Sequence, residues 1–121
     1  MRTPPDIAAD YIALWNESDG ARRKALLART WGQTASYVDP LMKGAGHAEI
    51  DGLIAAVQQR FPGFRFTLIG APDGHGDVAR FSWGLGPTGG EAVVKGTDIV
   101  KSEGDKIASV TGFLDLVPAT A

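Results

Sequence analysis

The 121 residues contain no cysteine. That excludes disulfide staples, thiolate metal sites and thiol nucleophiles, and it fits a reducing, cytoplasmic setting. Histidine is scarce. His47 and His75 do not pair at ligand spacing, so no metal is expected. Neither charge sign dominates: twelve Lys and Arg face fourteen Asp and Glu, for a net charge of -2. No strong field therefore invites nucleic acid or an anionic membrane surface. No apolar run approaches the roughly 20 residues that a membrane-spanning helix needs. The opening MRTPPD leads into a mixed segment, so no signal peptide is expected. A Gly-x-Ser-x-Gly elbow is missing, and Gly84, Gly86, Gly89 and Gly90 open no helix, which leaves a phosphate-cradling loop unsupported.

Apolar residues make up 44% and charged residues 21% of the chain, a balance that folds rather than stays disordered. The length suits one domain over residues 1–121. Composition shifts once, near residue 62, from an Ala-rich half of helical period to a half rich in Val, Thr, Phe and Gly. A first helix is predicted after Pro4 and Pro5, with Ile7, Tyr11, Leu14 and Ser18 on one face, Ile12 and Trp15 beside them, and an exit at NESDG. A second helix runs over about 20–30 and turns Leu26, Leu27 and Trp31 inward. Its Arg22, Arg23, Lys24 and Arg29 read as a solvated face rather than a binding patch. A short strand over 35–39 and a loop over 43–46 follow. The third helix, about 47–60, carries Ile50, Leu53, Ile54, Val57 and Phe61 at helical spacing before Pro62 and Gly63 stop it. Strands are predicted over 64–69, 78–85, 92–101 and 107–117, and their short Gly-, Pro- and Asp-rich separators favour an antiparallel meander. The layout is α+β, with helices on one face of the sheet.

Strand parity singles out Asp98. It alternates with Val94, Gly96 and Val100, while Lys95 and Lys101 take the other face. A carboxyl on a covered face is costly unless protonated, paired or hydrogen-bonded. The alternative is a strand-end position bonded to a neighbouring turn. Asp39 shares a side with Tyr37 at the end of the early strand, although an Asp before Pro40 is equally a turn starter. Tyr11 lies on the inner stripe of the first helix and needs a hydroxyl partner, from core backbone or from a ligand. His75 falls in a turn, and His47 suits the entrance of the third helix.

The series Asp10-Tyr11-Ile12-Ala13-Leu14-Trp15-Asn16, Tyr37-Val38-Asp39-Pro40, Gly46-His47-Ala48-Glu49-Ile50, Phe61-Pro62-Gly63-Phe64 and Gly96-Thr97-Asp98 resembles the SnoaL-like branch of the nuclear transport factor 2-like superfamily. The resemblance runs from the first helix to Asp115. It implies a cystatin-like α+β roll: a cone-shaped, curved antiparallel β-sheet wrapped around three N-terminal helices, with a pocket inside. It also implies a homodimer through the outer sheet face. Within that superfamily the pattern is similar to that of the ketosteroid isomerases, an established case of pKa tuning in which one aspartate is ionised and another is kept protonated by an apolar site. The resemblance matches Asp39 to their general base, and Tyr11 and a protonated Asp98 to their oxyanion hole. Trp15, Phe61, Trp83, Val94 and Leu114 are expected to wall the pocket. The stretch from Tyr11 to Asp39 is longer here by about one helical turn, which leaves open whether Tyr11 reaches the pocket, and Trp83 is open between cavity wall and dimer interface.

Two carboxylates about 5–6 Å apart at an effective dielectric of about 20 repel by roughly 3 kcal/mol, about two pKa units, and apolar neighbours such as Val94 and Val100 would add to the shift. Asp39 would then take a proton beside a carbonyl and Asp98 would donate to the developing enolate, with no cofactor. Isomerisation, cyclisation or dehydration of a small apolar carbonyl compound, steroid- or polyketide-like, is the first reading. A non-catalytic ligand-binding pocket is the second, and a dimeric interaction domain the third, since one fold hosts many functions.

Overall fold

In the computed structural model, which describes residues 2–118, Thr3 caps the first helix, α1 (Pro4–Asn16). Met1 and residues 119–121, counted in the expected domain, lie outside the described residues. The Thr3 hydroxyl accepts from the Asp6 N–H, and the Asp6 carboxylate accepts from the Thr3 N–H. Pro4 and Pro5 occupy the first turn, where no N–H is needed. The buried face of α1 is Ile7, Ala8, Tyr11, Leu14 and Trp15; Ser18, predicted to extend that stripe, falls beyond the helix end and is exposed.

Asp19 caps α2 (Gly20–Thr30) by accepting from the Arg22 N–H. The next helix, α3, spans Gly46–Arg60. One residue of the expected solvated face of α2 departs from it. Arg23 is buried, ion-paired to Asp51 of α3, and donates to the Glu17 carbonyl and the Gln58 side chain. Gln58 in turn donates to the carbonyls of Trp15 and Glu17, so one polar knot joins all three helices. A guanidinium can be buried there because its donors find fixed acceptors. The entrance of α3 is held by the His47 Nε2–H, within 3.0 Å of the Trp31 and Gly32 carbonyl oxygens, and by Glu49, which accepts from the Ala45 N–H.

Six strands form one open, curved sheet: β1 (Trp31–Val38), β2 (Lys43–Ala45), β3 (Phe64–His75), β4 (Val78–Pro87), β5 (Val94–Glu103) and β6 (Lys106–Leu116), in the order β2-β1-β6-β5-β4-β3. The predicted meander is β3 to β6, antiparallel throughout. Four details correct the sequence reading. The early strand starts at Trp31 rather than residue 35, because Trp31 is already paired with Ile107 and its side chain is fully buried. The expected loop over 43–46 is largely β2, which folds back on β1 through a tight turn. β1 lies parallel to β6, so the sheet is mixed rather than wholly antiparallel. Finally, β3 continues to His75, past a register shift between Ile69 and Asp73 that includes Gly70 at φ +72°, and only Gly76 and Asp77 form the turn. Such an irregularity bends a strand and so helps the sheet curl.

Helix α1 packs on β3 and β4, α3 on β1 and β2, and α2 against β1 and α3. Between helices and sheet runs a chain of rings. Tyr11 stacks near Trp31 and sets its edge to Phe81, while Trp15 touches Tyr37 and Phe66, and Phe66 meets Trp83. The indole N–H groups of Trp15 and Trp31 are buried with no partner among the described residues, a cost of about 1–3 kcal/mol each that ring packing must offset. Ile50 and Ile54 of α3 are fully enclosed, whereas Val57 and Phe61 on the same stripe are only half-buried. That end of α3 does not close on the sheet, and a hollow remains.

Candidate active site

The hollow is a cavity of about 330 Å³. Tyr11, Trp15, Tyr37, Phe66, Trp83 and Leu85 form its buried wall, and the half-buried Met42, Val57, Phe61 and Leu114 continue it. Of the residues named from the sequence, Tyr11, Asp39, Trp15, Phe61, Trp83, Val94 and Leu114 all line it. Asp98 does not; it is 1% exposed and sits behind the wall. Tyr11 thus reaches the cavity despite the longer connection to Asp39, and Trp83 belongs to the wall.

Register explains how the two aspartates meet. Asp98 on β5 is opposite Gly112 on β6, and Val38 on β1 is opposite Thr111, which brings Asp39 beside Gly112. Asp39, just past the end of β1, therefore stands in one inward-facing row with Gly112 of β6 and Asp98 of β5. A Cβ on Gly112 would stand 2.7 Å from Asp98 Oδ1, 3.2 Å from Asp39 Cβ and 3.6 Å from the Tyr37 hydroxyl. The missing side chain is what admits both acids. A second close approach is at Gly96, where a Cβ would overlap the Trp83 ring. With that space free, the Trp83 indole N–H donates to Asp98 Oδ2 at 3.2 Å.

Asp39 has two separate duties. Its Oδ1 accepts from the Leu41 and Met42 N–H groups at 2.8 and 2.9 Å, which builds the turn between β1 and β2. Its Oδ2 accepts the Tyr37 hydroxyl proton at 2.7 Å. A carboxylate has acceptor capacity beyond these bonds, so Oδ2 keeps a lone pair to offer. The turn-starter reading and the site reading of Asp39 are satisfied by different oxygens.

Burial raises the Asp98 carboxyl from its ordinary 3.8 to about 6. The neighbouring Tyr11 hydroxyl and the Trp83 N–H pull it back down, and the charges of Asp39 and Asp115 push it further up. Of the two causes expected from the sequence, loss of water is the larger and repulsion between the carboxylates the smaller. Burial, with Asp98 and Tyr37 next, holds Tyr11 well above the ordinary tyrosine range. Burial, Asp98 and Asp39 do the same to Tyr37. Both phenols are therefore neutral donors across the accessible pH range.

Tyr37 is a site residue that the sequence does not single out, although its parity with Asp39 is the available signal. His47 lies outside the cavity lining: both carbonyls at Nε2 are acceptors, so that nitrogen carries its proton and the ring serves the helix entrance. His75 is exposed on the hairpin end of β3. Among the described residues no cluster of three His, Cys, Asp or Glu could hold a metal ion, and no helix is long and apolar enough to cross a membrane.

Comparison with known proteins bears on the fold and the family. No curated protein matches the chain. A solved structure from Agrobacterium tumefaciens, described as a proposed isomerase of the SnoaL-like family, is 46% identical, with a TM-score of 0.90 over 95% of this chain and 99% of that one. A proposed ketosteroid isomerase from Kribbella flavida shares the fold at 19% identity, with a TM-score of 0.66 over 89% of this chain and 74% of that one. So does a proposed polyketide cyclase from Sinorhizobium meliloti at 17% identity, with a TM-score of 0.69 over 89% and 94%. The model of the SnoaL-like domain matches residues 8–110, and the chain belongs to the SnoaL-like family.

Proposed function

We propose that the protein is a cofactor-independent proton-transfer enzyme, an isomerase or a cyclase or dehydratase, acting on a small apolar carbonyl compound. One observation carries the reading: a carboxylate and two neutral phenols line one end of a largely apolar cavity, and a carboxyl with a raised pKa stands behind them. In this scheme Asp39 Oδ2 removes a proton from the carbon beside the carbonyl, held in aim by its turn and by Tyr37. The Tyr11 hydroxyl donates to the developing enolate oxygen. Asp98 acts through Tyr11 from behind the wall. Protonated, it leaves the phenol proton free for the enolate; ionised, it draws that proton to itself. The proton on Asp39 is then returned to a different carbon, or the enolate attacks within the same molecule.

Exchange of the α-protons of 2-tetralone into D2O, followed by NMR, tests this without knowledge of the natural substrate. Wild type should accelerate exchange, and Asp39→Asn should reduce the acceleration roughly 100-fold. The wild-type rate should fall as pH rises through about 6, the value for Asp98, and Asp98→Asn, which cannot ionise, should lose that limb. Binding of the ketone with no acceleration over buffer would sink the catalytic scheme. The second reading, a ligand-binding domain, would then stand, and one feature favours it: three hydrogen bonds already occupy Asp39. On either reading we place the protein in the cytoplasm as a homodimer through the outer face of the sheet.

A further inference from the structure

The cavity has one more charged group, and it sits at the opening. Among its described lining residues only Asp39 and Arg60 carry charge. The exposed members of the lining are Leu41, Ala56, Arg60 and Val117, which marks them as the mouth. Arg60 makes no ion pair among the described residues, and its guanidinium lies over the Phe61 ring, 5.8 Å from the centroid. Phe61 is itself part of the cavity wall, so the cation is held beside the opening rather than swept away into solvent.

We propose that the ligand is an amphiphile whose anionic group, a carboxylate in the simplest case, pairs with Arg60 at the mouth while its apolar carbonyl body fills the cavity. This rests on the pocket reading above. The arrangement is polarised. Arg60 at the rim attracts an anion and Asp39, the other charge on the lining, repels one, so a ligand with one anionic end is oriented with that end toward Arg60. A planar guanidinium suits a carboxylate because it can give two parallel hydrogen bonds. Arg60 also lies in the last turn of α3, where a cation complements the helix dipole. That role contributes to stability alone and says nothing of ligand charge, which gives the test its handle.

Calorimetric titration with 1-naphthylacetate and with the isosteric but neutral 1-naphthylacetamide separates the two roles. Wild type should bind the acetate about fivefold more tightly at low salt, the scale of a partly exposed ion pair. Arg60→Gln should bring that ratio to about one while changing amide affinity less than about twofold, and Arg60→Lys should keep part of the preference. Raising the salt from about 20 mM to about 0.5 M should also shrink the ratio in unaltered protein, a check that needs no variant to fold. A wild-type ratio near one, a ratio independent of salt, or a ratio retained in Arg60→Gln overturns the inference and leaves the pocket reading intact. Binding of neither probe overturns both.

Discussion

Asp98 has given up nearly all contact with water and accepts one indole N–H in return. Because its folded pKa is raised, the sign of its effect on stability is opposite to that of a salt-bridged carboxylate. Below about pH 4 the group is protonated in both folded and unfolded chains and costs nothing extra. As pH climbs toward and past about 6, the unfolded chain ionises freely while the folded one must hold its proton or bury a charge. Full ionisation of the unfolded state then lowers stability by about 3 kcal/mol. Asp98→Asn retains an acceptor for Trp83 and has no proton to lose. Urea unfolding at a series of pH values should show the variant gaining on wild type by about 2–3 kcal/mol between pH 4 and pH 7, with a level difference above that. A difference that stays flat over this window would mean that burial does not raise the folded pKa of Asp98.

At the scale of elements, the site is a property of strand register rather than of any single motif. Asp39 follows β1 and Asp98 lies on β5, which are not neighbours; β6 lies between them and contributes Gly112 at the level where the two acids face each other. Alanine at that position adds no backbone strain, since Gly112 is not among the positive-φ glycines, and by itself it would stiffen the unfolded chain in favour of folding. The added methyl nevertheless meets Asp98 Oδ1 at 2.7 Å. Gly112→Ala should cost about 1–3 kcal/mol by overpacking. In an Asp98→Ala background the same change should cost clearly less, because its main clash is gone. Equal costs in the two backgrounds, measured as urea unfolding free energies, would sink the claim that Gly112 exists to admit the acids. This dependence on register also sets what is readable in the sequence. Period-two alternation places Asp98 on the inner face, and the hydrophobic stripe of α3 gives that helix its span and its inward side. The partnership of β1 with β6 joins residues about 70 positions apart and leaves no local trace. Likewise β2 is three residues long, with Gly44 at its centre, and exists only because the turn built by Asp39 returns the chain to β1. Tyr37 enters the site by the same route, as the inward residue nearest that turn.

For the whole molecule, the asymmetry of the sheet argues for a partner. Its inner face is occupied by helices and cavity, while the outer face is bare and exposes Val38, Ile69 and Phe113, with the half-buried Ile99 among them. Some of the interleaved polar groups are satisfied locally: Ser82 bonds Thr97, and Thr97 donates to Asp115. Ser82 and Thr97 can be covered without stranding a donor, because they bring their own acceptors. A two-fold copy of the same face would place the exposed Phe113 near the middle of a self-complementary contact. Light scattering on the eluting protein should therefore give about twice the 12.7 kDa chain mass. Phe113→Asp should shift it to the monomer without disturbing the cavity, since residue 113 projects from the opposite side of β6 to Gly112 and Leu114. Two results would count against the dimer: a monomer at about 100 μM wild-type protein, or a dimer that survives the charge placed at Phe113. If the variant is monomeric and still binds 1-naphthylacetate with wild-type affinity, the pocket is complete within one chain and pairing serves the fold's exposed face alone.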